Sequence, residues 1–119
     1  MVNYIWITTS KEMFHRYKDA PSQVDFLKSI HRHLMKFKIY IEIFHNDRDI
    51  EFFMFKRFIE SVLKDLPVDV DNRSCEMISD FIAGKIHERY DKRDIKIVVS
   101  EDGENGIEYN YAYNQNNYS

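Results

Sequence analysis

Residues 29–45, SIHRHLMKFKIYIEIFH, alternate apolar and polar side chains with a period of two, the pattern of a strand buried on one face. Met35, Phe37, Ile39, Ile41 and Ile43 fall on one side, and Leu34, Lys36, Lys38, Tyr40, Glu42 and Phe44 on the other. The first side is the predicted core face, and His31 and His33 stand at its head. The strand runs to about His45, where HNDRD turns the chain. Earlier, VNYIWITT at residues 2–9 combines β-branched and aromatic side chains and predicts a strand, with extended character running on to MFHRY at 13–17. Residues 18–30, which include Pro21, predict a connecting loop.

From Phe52 the period changes. Phe52, Phe55, Ile59, Val62 and Leu66 recur at spacings of three and four, predicting a helix that Pro67 stops. PVDVDNR is a short link. Ser74 is the predicted N-cap of a second helix reaching about Tyr90, with Met77, Ile78, Phe81, Ile82 and Ile86 as its buried stripe. DIKIVVSE predicts a strand, DGENG a turn and IEYNYAY a last strand. The order ββααββ predicts an α+β fold, a mainly antiparallel four-stranded sheet with two helices on one face. Strands this apolar rarely leave an open edge in water, so edge-to-edge oligomerisation is expected.

The chain has 119 residues, 44% of them hydrophobic, enough for one domain with a modest core. That domain is expected over 1–113, with 114–119 as a flexible tail. No apolar run is long enough to span a membrane. No charged segment followed by an apolar stretch opens the chain, so no secretory signal is expected and the cytoplasm is the expected home. A net charge of −3 argues against a dedicated nucleic-acid surface. Cys75 is the only cysteine, which excludes an internal disulfide and a cysteine-based zinc cage. In the first turn of its helix it is expected to be a small packing residue.

The candidate chemistry begins with His31 and His33. Side chains two apart on a strand share a face, about 6 to 7 Å apart at the backbone, so both imidazoles can reach one ion. Two histidines are too few for a zinc site, and a third ligand has to come from elsewhere. Of the remaining histidines, His45 lies too far along its strand to join them, and His87 suits the C-terminal end of the second helix.

The element order, the HRH at the head of a long second strand and a histidine sixteen residues earlier resemble the 6-pyruvoyl-tetrahydropterin synthase and 6-carboxy-tetrahydropterin synthase family, whose small members have the tunnelling fold (T-fold). The resemblance covers most of the chain. It implies zinc held by His15, His31 and His33. IEFFMFK at 50–56 resembles the start of the family's first helix, with Glu51 in place of Asp. RSCEMI at 73–78 resembles the opening of the second helix. IKIVVSED at 95–102 resembles the third strand, whose glutamate holds the pterin ring; that residue is Glu101 here. A carboxylate can accept hydrogen bonds from the 2-amino group and ring N–H of a pterin or guanine together.

The chain also departs from the family. The cysteine that acts as the family's base falls at Leu27, the link KDLPVDVDNR has no histidine for the usual Asp-His pair, and Arg32 replaces the middle glycine of His-Gly-His. Arg32 reads as a surface charge. Asp25, Lys28, Asp69 and Asp71 are candidate replacement bases, none singled out by spacing. The resemblance implies a zinc-dependent lyase-like enzyme of pterin or deazapurine metabolism, including queuosine biosynthesis, acting on a dihydroneopterin triphosphate-like substrate as a homotrimer or hexamer. The alternatives are a non-catalytic protein that sequesters a pterin, guanine or nucleotide-like ligand, and a purely structural oligomer.

Overall fold

The computed structural model describes residues 2–66 and 73–113. Pro67, Asp69, Asp71 and the tail expected at 114–119 lie outside the described residues. The strands are β1 (Asn3–His15), β2 (His31–Ile43), β3 (Ile95–Glu101) and β4 (Asn105–Tyr111). Helices α1 (Phe52–Asp65) and α2 (Cys75–Arg89) lie between β2 and β3, giving an α+β fold in the order ββααββ. The four strands form one sheet in sequential order, every neighbour antiparallel. Among the described residues no helix is long and apolar enough to cross a membrane.

The alternation in β2 sets the sheet's inner face. Met35, Phe37, Ile39 and Ile41 are buried there beside Ile7 and Met13 of β1 and Ile95, Ile97 and Val99 of β3. Phe55, Ile59, Val62 and Leu63 of α1 and Ile78, Ile82, Ala83 and Ile86 of α2 cover them. Each such side chain contributes roughly 1.5–3 kcal/mol by leaving water. Helix α1 packs on β1, and α2 on β3 and β4. The opposite face carries Tyr4 and Trp6 in the open and a half-buried Lys38, whose ammonium lies 4.2 Å above the Trp6 ring.

Local chemistry fixes the helix ends. Glu51, not a Ser or Asp, caps α1 by accepting the Phe53 and Met54 backbone N–H groups, while Ser74 Oγ accepts the Met77 N–H of α2 at 3.2 Å. At the far end of α1, the Lys11 ammonium donates to the carbonyls of Leu63 and Leu66, where a cation is favoured by both hydrogen bonding and the helix dipole.

Three expectations need correction. Phe52 is 52% exposed rather than part of the α1 stripe; Ile50, just before the helix, is the residue buried at that end. Met77 is also exposed, and Ser79 is buried in its place because its hydroxyl meets Tyr111 Oη at 2.7 Å. The segment expected to be loop contains a short 3-10 stretch, Ser22–Lys28, broken at Val24 and closed by Tyr17 N–H donating to the Leu27 carbonyl. A stretch this short has too few turns to show a periodicity.

Candidate metal centre

Strand register builds the site. His15, the last residue of β1, lies directly opposite His31, the first of β2, and His33 follows two residues along the same face. Directly opposed Cβ atoms are about 4.5–5.5 Å apart. The three ring centroids lie 4.6, 4.9 and 4.8 Å from one another, with the rings steeply tilted. One ligand atom from each ring falls within 4.8 Å of the others. The inner face thus changes from isoleucine through Met13 and Met35 to histidine as it leaves the helices' cover.

Each ring is oriented from behind. His31 Nδ1 sits 2.7 Å from the Ser29 carbonyl and His33 Nδ1 2.6 Å from Asp102 Oδ2, while His15 shares a hydrogen bond with the Arg73 backbone. Fixing one ring nitrogen by an outer partner leaves the other for a metal. The Nε2 atoms of His15 and His33 are buried and have no hydrogen-bond partner. Glu101 Oε2 lies 2.9 Å from the first and 3.6 Å from the second, close enough for charge attraction, yet neither contact has hydrogen-bond geometry. Two buried, unpartnered imidazole nitrogens fit a cation, which is otherwise the missing partner.

Electrostatics at His15 point the same way. Burial lowers its pKa below the usual 6.5, His31 and His33 lower it further, and Glu101 and the Arg73 hydrogen bond oppose them. The neutral form, which is the ligating one, is favoured on balance.

The cluster opens into a cavity of about 540 Å³, lined by His15 and His31 together with Arg16, Tyr17, Leu27, Arg73, Cys75 and Glu101. Comparison with protein-family models and with curated proteins gives no match. The geometry of the residues therefore carries the functional reading.

Asp69 and Asp71 lie outside the described residues, and the other residues singled out in the sequence can be placed. His15, His31, His33 and Glu101 come together. Leu27 lines the cavity, where the resemblance puts the position of the missing base. Cys75, expected to be a packing residue, also reaches the cavity wall; burial, with Glu101 and Glu76 nearby, pushes its thiol up to about 11. Asp25 and Lys28 pair with each other at 2.8 Å on the surface and line no part of the cavity. Arg32 pairs with Glu12 across the outer face. His45 lies near Asp49, and His87 Nε2 is 2.9 Å from the Arg93 carbonyl, both away from the cluster.

Sequence reasoning missed Asp102, Arg16 and Arg73. Asp102 reads as the first residue of an Asp-Gly turn, and it does sit in the left-handed region at φ 59°. Its place behind His33 depends on the β2–β3 register, in which Met35 faces Glu101. No local pattern reports that register.

Proposed function

We propose that this chain is a zinc-dependent, small-molecule enzyme of the 6-pyruvoyl/6-carboxy-tetrahydropterin synthase type, with a T-fold and a dihydroneopterin triphosphate-like substrate. The observation that carries the reading is the pair of buried, unpartnered Nε2 atoms on His15 and His33, joined by His31 at the mouth of a 540 Å³ cavity. His15, His31 and His33 hold the zinc, which when bound supplies Lewis acidity toward a substrate hydroxyl. Asp102 and the Ser29 carbonyl fix the rings. Glu101 accepts from the N–H groups of the ring system. Arg16 and Arg73 on the cavity wall give an anionic substituent a charged partner.

Acid-base chemistry is the weak part of this site. Leu27 accepts no proton, and the Cys75 thiol is held in its protonated form by burial and by two carboxylates. General acid-base groups typically contribute about 10²- to 10⁴-fold, so turnover is slow. The same observation favours a second reading, a binding protein that keeps the pocket and performs no reaction. Metal analysis and mass spectrometry of the purified protein test the site. Turnover of 7,8-dihydroneopterin triphosphate, in the parent chain and in Leu27→Cys, separates enzyme from binder. Protein purified without metal and unable to take it up would refute both.

A further inference from the structure

Glu101 occupies a position that ring binding alone does not explain. It ends β3 on the inner-face parity of Ile95, Ile97 and Val99, opposite Met35 and Asn105. Its Oε2 approaches two imidazole nitrogens, at 2.9 Å and 3.6 Å, and these are the same two that lack hydrogen-bond partners. Ligand bonds of about 2.0–2.2 Å at a tetrahedral zinc place ligand atoms roughly 3.3–3.6 Å apart. The longer observed separation lies at the upper end of that spacing and the shorter one just below it. An oxygen so placed stands where a fourth ligand belongs.

A zinc centre with four protein ligands is closed, and chemistry needs an open position. We propose that Glu101 is the fourth ligand of the resting metal and leaves it for the N–H groups of an incoming pterin- or guanine-like ring. The coordination position then opens only when the cavity is filled. One carboxylate performs both tasks in turn, because an ionised carboxylate accepts hydrogen bonds and ligates metal through the same oxygens. The proposal rests on the metal-site reading above and adds to it the gating of that site by its own ligand.

Cobalt(II), whose visible absorption reports coordination number, is the probe. Metal-free parent protein is loaded with cobalt beside Glu101→Gln, Asp102→Asn and His31→Ala, and each spectrum and dissociation constant is measured. Losing an outer partner costs about 10- to 100-fold in affinity, so Asp102→Asn is expected to bind more weakly with an unchanged spectrum. Glu101→Gln is expected to change the spectrum as well as weaken binding. Addition of 7,8-dihydroneopterin is expected to shift the parent spectrum and leave that of Glu101→Gln unmoved. Glu101→Ala repeats the comparison if the amide disturbs the turn. Identical spectra and affinities for parent and Glu101 variants would overturn the gating while leaving the histidine site intact. Failure of the parent to bind cobalt, or unweakened binding by His31→Ala, would overturn the metal site and the gating with it.

Discussion

Asp102 Oδ2 lies 2.6 Å from His33 Nδ1, and the other oxygen of the same carboxylate accepts the Leu34 backbone N–H at 2.8 Å. The Asp102 N–H in turn donates to the Leu34 carbonyl at 2.8 Å. One turn residue therefore locks both the ring of a candidate ligand and the backbone beside it. His33 and the Leu34 N–H together hold the Asp102 carboxyl below its usual range. Asn tolerates the left-handed conformation and keeps the side-chain shape, so Asp102→Asn isolates the loss of charge. Zinc affinity is expected to fall about 10- to 100-fold. Competition with a chromophoric chelator measures it, and an unchanged constant would remove Asp102 from the site.

His15 makes metal-free stability depend on pH. Its pKa in the fold is lowered from 6.5, so between the folded value and 6.5 the unfolded chain binds more protons than the native one. Stability therefore rises with pH across that window. It is fully present above 6.5 and declines as the pH drops toward the folded value. His31, His33 and Glu101 face the same ring, and the charge on Glu101 offsets part of the effect. Urea unfolding of the metal-free protein is expected to show a lower midpoint at pH 5.5 than at 7.5, and His15→Asn to lessen the difference. Equal differences in the two proteins would contradict the assignment.

Arg93 and Asp49 pair at 2.8 Å with only 14% and 12% of their side chains exposed. Arg93 also donates to the Glu42 carbonyl and covers the Phe44 ring, tying the end of β2 to the start of β3. Arg93→Met leaves Asp49 charged in a site built for a pair, at a cost near the lower end of the roughly 3–5 kcal/mol typical of such breaks. Removing both charges in Arg93→Met/Asp49→Leu is expected to recover much of that loss. Denaturant unfolding of the single and double variants checks the order; a double variant less stable than the single would refute it.

How far this molecule could be read in its sequence depended on whether the signal was local. The β2 alternation identified the core face residue by residue, and Ser74 marked the start of α2, because both depend on neighbours along the chain. Phe52 and Met77 matched the helical period and still lie exposed, since periodicity says nothing of where the sheet beneath a helix ends. His31 and His33 declared themselves through spacing on a single strand. His15 and Glu101 belong to other strands and Asp102 to the turn after β3, and only the β1–β2 and β2–β3 registers bring them together. His15 and Glu101 entered the reading through a family resemblance, and Asp102 had no such help.

Gly106 tests the edge of the site. A Cβ there would stand 2.1 Å from the Val99 carbonyl oxygen and 2.7 Å from Ser100 Cα, both backbone atoms that cannot rotate away. Gly106→Ala must therefore push β4 off β3, at about 1–3 kcal/mol or more. It also shifts Asn105 and Ile107, which line the cavity. A lower melting temperature is expected, and an unchanged one would show that β4 pairs differently.

The last prediction concerns assembly. The sheet ends at β1 on one side and β4 on the other. Such edges carry backbone N–H and C=O groups that a second chain can pair with, and proteins that stay monomeric blunt them with proline, charge or a covering element. Strand β1, Asn3–His15, contains no proline and runs for 13 residues with Tyr4, Trp6 and Phe14 exposed along it. Pairing of β1 with β4 of a neighbour would continue the sheet in one antiparallel or parallel sense and, repeated, close it into a ring. A trimer or a face-to-face hexamer is expected, and light scattering at micromolar concentration reads it directly. A stable species of 14.5 kDa would show that the edges are protected in some other way. Trp6→Lys places a charge beside the edge and is expected to lower the mass if the ring forms, while leaving the histidine cluster at the far end of β1 able to take up metal.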